Sequence, residues 1–265
     1  MKTKYLLTLL FTYLFITAKA QVGPFINNTL NTAATEITPT NELQVQFAPE
    51  VAWATKTYDS RENSQQLDTL NVESGIGLQF NNGITSKLDW GIAFPLDVSE
   101  VSVGFKYLLT GNEESKLQTA LGTWVDIPTF GTEIIRGKAG SDNIALAGLG
   151  AIFQYHASDK LIIYSDLYGQ KFLKSAEEDH KMNFYYNLDL DYALSDDVRA
   201  AVGFAYSNSV YEEAVTNEHL GTFSYGFFFE KWETWNFYVA HYFDMLGQNA
   251  EGGNVFTINI TRTFK

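Results

Sequence analysis

The chain has 265 residues, a formal net charge of −13 and no cysteine, which excludes disulfides, thiolate metal sites and an acyl anchor on a cysteine behind the leader. An acidic exterior of this kind disfavours nucleic acid as a partner and otherwise fits a solvated surface that specifies no ligand. Aromatic residues are 15% and charged residues 18% of the chain, a mix suited to large side chains at lipid and its interfaces, although a secreted β-sandwich shares it.

Residues 1–20, MKTKYLLTLLFTYLFITAKA, have the layout of a cleavable secretory signal. Lys2 and Lys4 form the charged start, Leu6 to Ile16 the apolar core, and Ala18 and Ala20 the small-residue site before Gln21. The apolar stretch falls short of the roughly 20 residues that cross a bilayer as a helix, so a membrane anchor is not expected there. Removal would take away Lys2, Lys4 and Lys19 and no acid, moving the charge from −13 by three, to −16. No second stretch of about 18 uninterrupted apolar residues follows, which argues against a helical membrane protein. Residues 21–40 are polar and rich in Thr and Asn. They are expected either to enter the barrel mouth as a plug or, as the favoured reading, to remain a disordered leader.

Beyond residue 40 the dominant signal is alternation. Met182, Phe184, Tyr186, Leu188, Leu190, Tyr192 and Leu194 fall on one face at a period of two, and Asn183, Tyr185, Asn187, Asp189, Asp191 and Ala193 on the other. Helical spacing would scatter those acids around a cylinder, whereas a strand lines them up in one row. The same dyad recurs in Val101 to Leu109, in Val198 to Tyr206 and in Trp235 to Phe243. Such runs predict strands near residues 42–57, 67–80, 84–95, 100–110, 116–127, 143–156, 161–170, 182–194, 198–208, 219–229, 235–245 and 254–264. The expected fold is all-β, a transmembrane antiparallel up-and-down β-barrel of about twelve strands over residues 41–265, in an outer membrane.

Loop lengths support this topology. Asn81-Asn82-Gly83, Gly111 to Ser115, Ala157 to Lys160, Ser195 to Asp197 and Glu230 to Thr234 read as tight turns. They alternate with links at Tyr58 to Gln66, Leu96 to Ser99, Pro128 to Asp142, Lys171 to Lys181, Ser209 to Glu218 and Leu246 to Gly253. An even strand number then puts both termini at the short-turn, periplasmic side. Phe256, Ile258, Ile260 and Phe264 alternate to the chain end, with Phe264 resembling the aromatic residue by which barrel-assembly machinery recognises its clients. Arg262 shares that outward face, placed to snorkel toward lipid headgroups.

Thr38-Pro-Thr-Asn-Glu-Leu-Gln-Val45, Val101 to Leu109, Thr119 to Thr129 and Ala193 to Phe204 resemble the bacterial outer-membrane barrels named after the meta-pathway of phenol degradation. The likeness spans roughly residues 35 to 265, with the family's Pro-Thr-Gly corner present only as Pro128-Thr129-Phe130-Gly131. The resemblance implies a transporter of small, often aromatic compounds, and no catalytic residues.

If the apolar faces meet lipid, parity assigns Glu50, Glu73, Lys87, Asp89, Lys106, Asp126, Asp166, Asp189, Asp191, Arg199, Glu230 and Asp244 to the lumen. Acids outnumber bases there, so an open interior would reject anions and pass cations or neutral polar solutes. The competing expectation is a packed polar core without a channel, in which Asp189 or Asp191 pairs with Arg199 across a tight hairpin. The expected partners are membrane lipids, the assembly machinery and an unidentified small solute, with no cofactor. His156 and Ser158 have the His-x-Ser spacing of outer-membrane phospholipases, but their place at a short turn is the wrong end for that chemistry. His180, His219 and His241 show no metal-ligand spacing.

Overall fold

The computed structural model describes residues 24–25, 29–96, 100–112, 114–128, 146–173, 180–211, 217–232 and 234–265. The expected signal, residues 1–20, lies outside the described residues, as do most of the long links, including 129–145, 174–179 and 212–216. The chain forms twelve strands: β1 (Leu43–Tyr58), β2 (Ser64–Thr85), β3 (Leu88–Pro95), β4 (Glu100–Thr110), β5 (Leu117–Pro128), β6 (Leu146–His156), β7 (Leu161–Phe172), β8 (His180–Ser195), β9 (Val198–Tyr211), β10 (Glu218–Trp232), β11 (Trp235–Gln248) and β12 (Glu251–Phe264). Each pairs with its sequence neighbours, and β1 pairs antiparallel with β12 from Leu43↔Phe264 to Thr57↔Glu251 to close the barrel. Closure matters because hydrocarbon offers no partner to an exposed sheet edge, so a spanning sheet must satisfy every backbone group within itself.

The period-two pattern sorts the faces as expected. On β8, Phe184, Tyr186, Leu190 and Tyr192 are exposed while Asn183, Tyr185, Asn187, Asp189 and Asp191 are buried. On β4, Phe105, Tyr107 and Leu109 point out and Gly104 and Lys106 point in. The aromatic and aliphatic residues thus coat the outside, and the buried positions belong to a mostly polar interior.

Two turn assignments differ from the sequence expectation. Asn81-Asn82-Gly83 is not a turn: β2 runs on to Thr85 and the reversal is at Ser86–Lys87. The glycine serves a close approach instead, since a Cβ on Gly83 would overlap the carbonyl oxygens of Thr38 and Pro39, and Thr40 forms a parallel bridge to Gly83. The link expected at Leu246 to Gly253 is likewise short, because β11 extends to Gln248 and β12 begins at Glu251. Asn249, at φ 49°, makes that reversal. The link after β1 is ordered by Asp59, whose Oδ1 accepts from the backbone N–H groups of Arg61 and Asn63 at 2.8 and 2.9 Å, while the Asn63 side-chain amide donates to Oδ2 at 3.1 Å.

Residues 29–38 lie inside the barrel and not in a leader outside it. Thr29, Thr32, Ala33 and Thr35 have no exposed surface, and Leu30, Asn31, Ala34 and Thr38 are buried. The segment crosses the interior from the short-turn end, where Thr40 meets β2.

Replacing Gly83 with Ala should therefore loosen the segment where it enters while leaving the barrel closed. A cost of about 1–3 kcal/mol is expected for overpacking of this kind, read as faster proteolysis within residues 29–40 at unchanged heat-modifiability. At the loop after β1, hydrogen bonds from Asn63 and Arg61 hold the Asp59 carboxyl below its usual range, the Asn63 side chain contributing most. A depressed carboxyl keeps its contribution above the unfolded pKa of about 3.9 and loses it only as pH falls through the folded value. Amide exchange at Arg61 and Asn63 should accordingly stay slow on acidification to about pH 4 and rise below it.

Candidate functional site

An extended segment inside a barrel has backbone donors and acceptors with no ladder of their own, and buried ones must be paired. The inward side chains of the wall supply the partners. The Asp189 carboxylate, fully buried on β8, accepts from the backbone N–H of Asn31 at 2.7 Å, the backbone N–H of Thr32 at 2.8 Å, the Asn31 side-chain amide at 2.7 Å and the Thr32 hydroxyl at 2.9 Å. Asp166 on β7 accepts from the Ala33 N–H at 3.0 Å and is bridged by Asn187, which donates to it at 2.8 Å. Gln154 on β6 accepts from the Thr35 N–H at 3.3 Å, and Asp89 on β3 accepts from the Thr38 N–H at 3.0 Å.

Carbonyls are met by the complementary groups. The Tyr242 hydroxyl donates to Leu30 O at 3.0 Å and the Asn187 amide to Asn31 O at 3.2 Å. Lys106 donates to Ala34 O at 3.1 Å and to Glu36 O, and its ammonium lies 3.7 Å from Asp89 and over the Phe25 ring. Apolar parts fit between these contacts. Ala33 packs in a cluster with Trp124, Tyr168 and Tyr185, and Leu30 with Phe228, Tyr238 and Ala240. Space for the Asp189 cradle comes from Gly203 on β9, where a Cβ would collide with Asp189, Asn31 and Ser224.

The remaining residues assigned to the lumen fall in separate groups. Asp191 and Glu230 both pair with Arg199, which also lies 4.8 Å above the Phe228 ring. Asp189 therefore does not share Arg199; it faces the inner segment. Asp126 accepts from Ser102, from the Trp124 indole N–H at 3.2 Å and from the Gln170 amide at 3.1 Å. Asp244 accepts from the Thr222 hydroxyl and, at 2.7 Å, from the Gly253 N–H. Glu50 and Glu73 are half-buried on the inward faces of β1 and β2. Lys87 is a correction: it occupies the exposed Ser86–Lys87 turn, because β2 continues past Gly83 and carries the reversal to that point.

Charge parity alone missed the uncharged polar members, Gln118, Gln154, Asn187 and Ser224, all buried. Their signal was the same inward parity as the acids. On the outer surface, Phe264 pairs with Leu43 and is exposed, and Arg262 lies 4.9 Å from the Trp235 ring and 4.6 Å from that of Phe264. Ser158 accepts from the backbone N–H groups of Lys160 and Leu161, while His156 meets Gln154. His241 is outward among Trp53, Tyr225 and Phe243.

No protein-family model and no curated protein matches the sequence. Solved structures match the fold. An outer-membrane channel from Pseudomonas putida F1 is similar with a TM-score of 0.68 and 12% identity, covering 87% of this chain and 98% of its own. The NanC porin gives 0.54 and 9%, over 83% and 98%. The KdgM porin in complex with disordered oligogalacturonate gives 0.53 and 11%, over 84% and 99%. At these identities the likeness is one of architecture: a closed barrel shared with outer-membrane channels and porins.

Asp189→Ala should unseat the segment, since it leaves buried donors on Asn31 and Thr32 unpaired at about 1–3 kcal/mol for each. Limited proteolysis should then cut within residues 29–38 of a barrel that still migrates as folded. Asp244→Ala, remote from the segment, should not produce that cut.

Proposed function

We propose that the chain is an outer-membrane channel for passive passage of small solutes, with the segment inside the barrel as its gate. The observation that carries this reading is that the wall is complete without the segment. All twelve strands close through their own ladders, and within the sheet residues 29–40 contribute the single Thr40 to Gly83 bridge. The other contacts that hold residues 29–38 to the wall are side-chain hydrogen bonds and the packing of Leu30 and Ala33, none of them part of the strand ladders, and the hydrogen bonds can be exchanged for water without breaking the barrel. The fold shared with channel and porin structures supports the same reading.

Cationic or neutral polar solutes fit the interior best. Both inward bases of the site are engaged, Lys106 with Asp89 and segment carbonyls and Arg199 with Asp191 and Glu230. Withdrawal of the segment would uncover Asp166 and Asp189 with no base beside them, a lining that attracts cations. It would also uncover Trp124, Tyr168 and Tyr185, whose rings offer a planar solute a stacking face. A second reading, a non-conducting structural or adhesive barrel, is favoured by the burial of the segment itself.

The two readings part in planar bilayers. Protein lacking residues 24–40 should give larger and longer-lived conductance steps than the full mature chain, with a cation-selective reversal potential in a KCl gradient. Asp166→Asn with Asp189→Asn in that background should reduce the selectivity. A folded truncated barrel that passes no current would establish the structural reading.

A further inference from the structure

His156 ends β6 at the short-turn mouth, half-buried beside the exposed turn 157–160. Its Nε2 is 3.1 Å from Nε2 of Gln154, the residue that holds Thr35 of the inner segment. An amide nitrogen can only donate, so the contact is a hydrogen bond only while His156 Nε2 carries a lone pair. The amide cannot simply be turned. The Thr35 backbone N–H donates to Gln154 Oε1 at 3.3 Å, which commits that oxygen to the segment and sends the NH2 toward His156. The Thr35 hydroxyl, 2.7 Å from Gln154 Oε1 and 2.8 Å from Gln118 Oε1, has one proton to give to these two oxygens, so the backbone N–H is the donor that fixes Gln154.

We infer that His156 is a positioning residue which, through Gln154, makes the hold on the inner segment depend on protonation at the channel mouth. This rests on the gating reading above. Uptake of a proton puts Nε2–H of His156 against the NH2 of Gln154, donor against donor. The amide must rotate, its oxygen turns to His156, and the fully buried N–H of Thr35 loses its acceptor. The segment is then released at its short-turn end, next to Asp89 and Lys106, without any change in the carboxylates deeper in the lumen.

The other ionisable groups around His156 do not provide a fixed counter-charge. Its backbone N–H donates to the carbonyl of Lys116, before β5, at 2.8 Å. Tyr164 stands opposite Gln154 on β7, and Ile162 opposite His156. On β8 and β9, Asp191 and Arg199 are committed to one another. Asp159 and Lys160 lie in the exposed turn, and Glu36 is on the segment. Among the described residues none forms an ion pair with His156.

The test uses the full mature protein in bilayers, with the short-turn side alone acidified from about pH 8 to about pH 5. Open probability should rise several-fold, and acidifying the opposite side should do less. His156→Gln offers Gln154 an acceptor that does not titrate and should abolish the response. His156→Lys, a donor at every pH, should raise open probability at neutral pH. Hydrogen exchange of residues 31–38, corrected for its intrinsic pH dependence, reads the same release without any current. Exchange should accelerate on acidification in the wild type and stay slow in His156→Gln. Retention of the pH response by His156→Gln in both measurements would overturn the assignment to His156. Exchange that follows His156 in a barrel that never conducts would uphold it and overturn the gating reading instead.

Discussion

A peptide buried inside a closed barrel is possible only if its backbone donors and acceptors find partners, and here the side chains of the wall supply them. The strand ladders close the twelve strands on one another. Among the described residues no strand forms a ladder with residues 29–38, and the N–H groups of Asn31, Thr32, Ala33, Thr35 and Thr38 turn to carboxylates and an amide oxygen, and the carbonyls to a phenol, an amide and an ammonium. The inward acids, the gap at Gly203, the approach at Gly83 and the smallness of the segment's own residues are all consequences of this one requirement.

Such a seat is firm locally and weak as a whole. Each hydrogen bond is worth about 0.5–1.5 kcal/mol net where water can replace it. Ordering each backbone residue costs about 1–2 kcal/mol. The two are of the same size, so the segment's residence in the lumen rests on a small balance, whereas the sheet adds a cooperative ladder between every pair of strands. A perturbation that removes one or two contacts can therefore shift the segment and leave the wall intact. This difference in robustness, and not any hinge, is what makes the inside of the barrel the adjustable part.

The wall was legible in the sequence because a strand reports its two faces directly. Met182 to Leu194 gave the parity of β8 without ambiguity, with Asn183, Asn187, Asp189 and Asp191 buried and Phe184, Tyr186, Leu190 and Tyr192 exposed. Lys87 escaped this rule because Asn81-Asn82-Gly83 has the composition of a turn, and ending β2 there counted the residues beyond as strand. Turn propensity registers what glycine permits, and close approach of another segment of the chain, here Thr38 and Pro39, uses the same permission. The segment itself was the least legible part. Its polarity fits a solvated leader as well as a wetted lumen, and period-two reasoning carries no information about a chain that meets a strand from inside.

The distribution of charge within β8 and β9 shows how the inner segment is nonetheless encoded. The two-residue turn at 196–197 sets the register, in which Ala193 faces Arg199, Asp191 faces Ala201 and Asp189 faces Gly203. Arg199 lies one inward step from Asp191 and two from Asp189, so the hairpin neutralises only the nearer acid. An uncompensated buried carboxylate opposite a residue without a side chain would be costly in a packed polar core. It becomes favourable once Asn31 fills the space above Gly203 and brings donors with it. Asp189 and Gly203 are thus a matched pair whose purpose is found in neither strand, and the partner that completes them is the chain's own N-terminal segment.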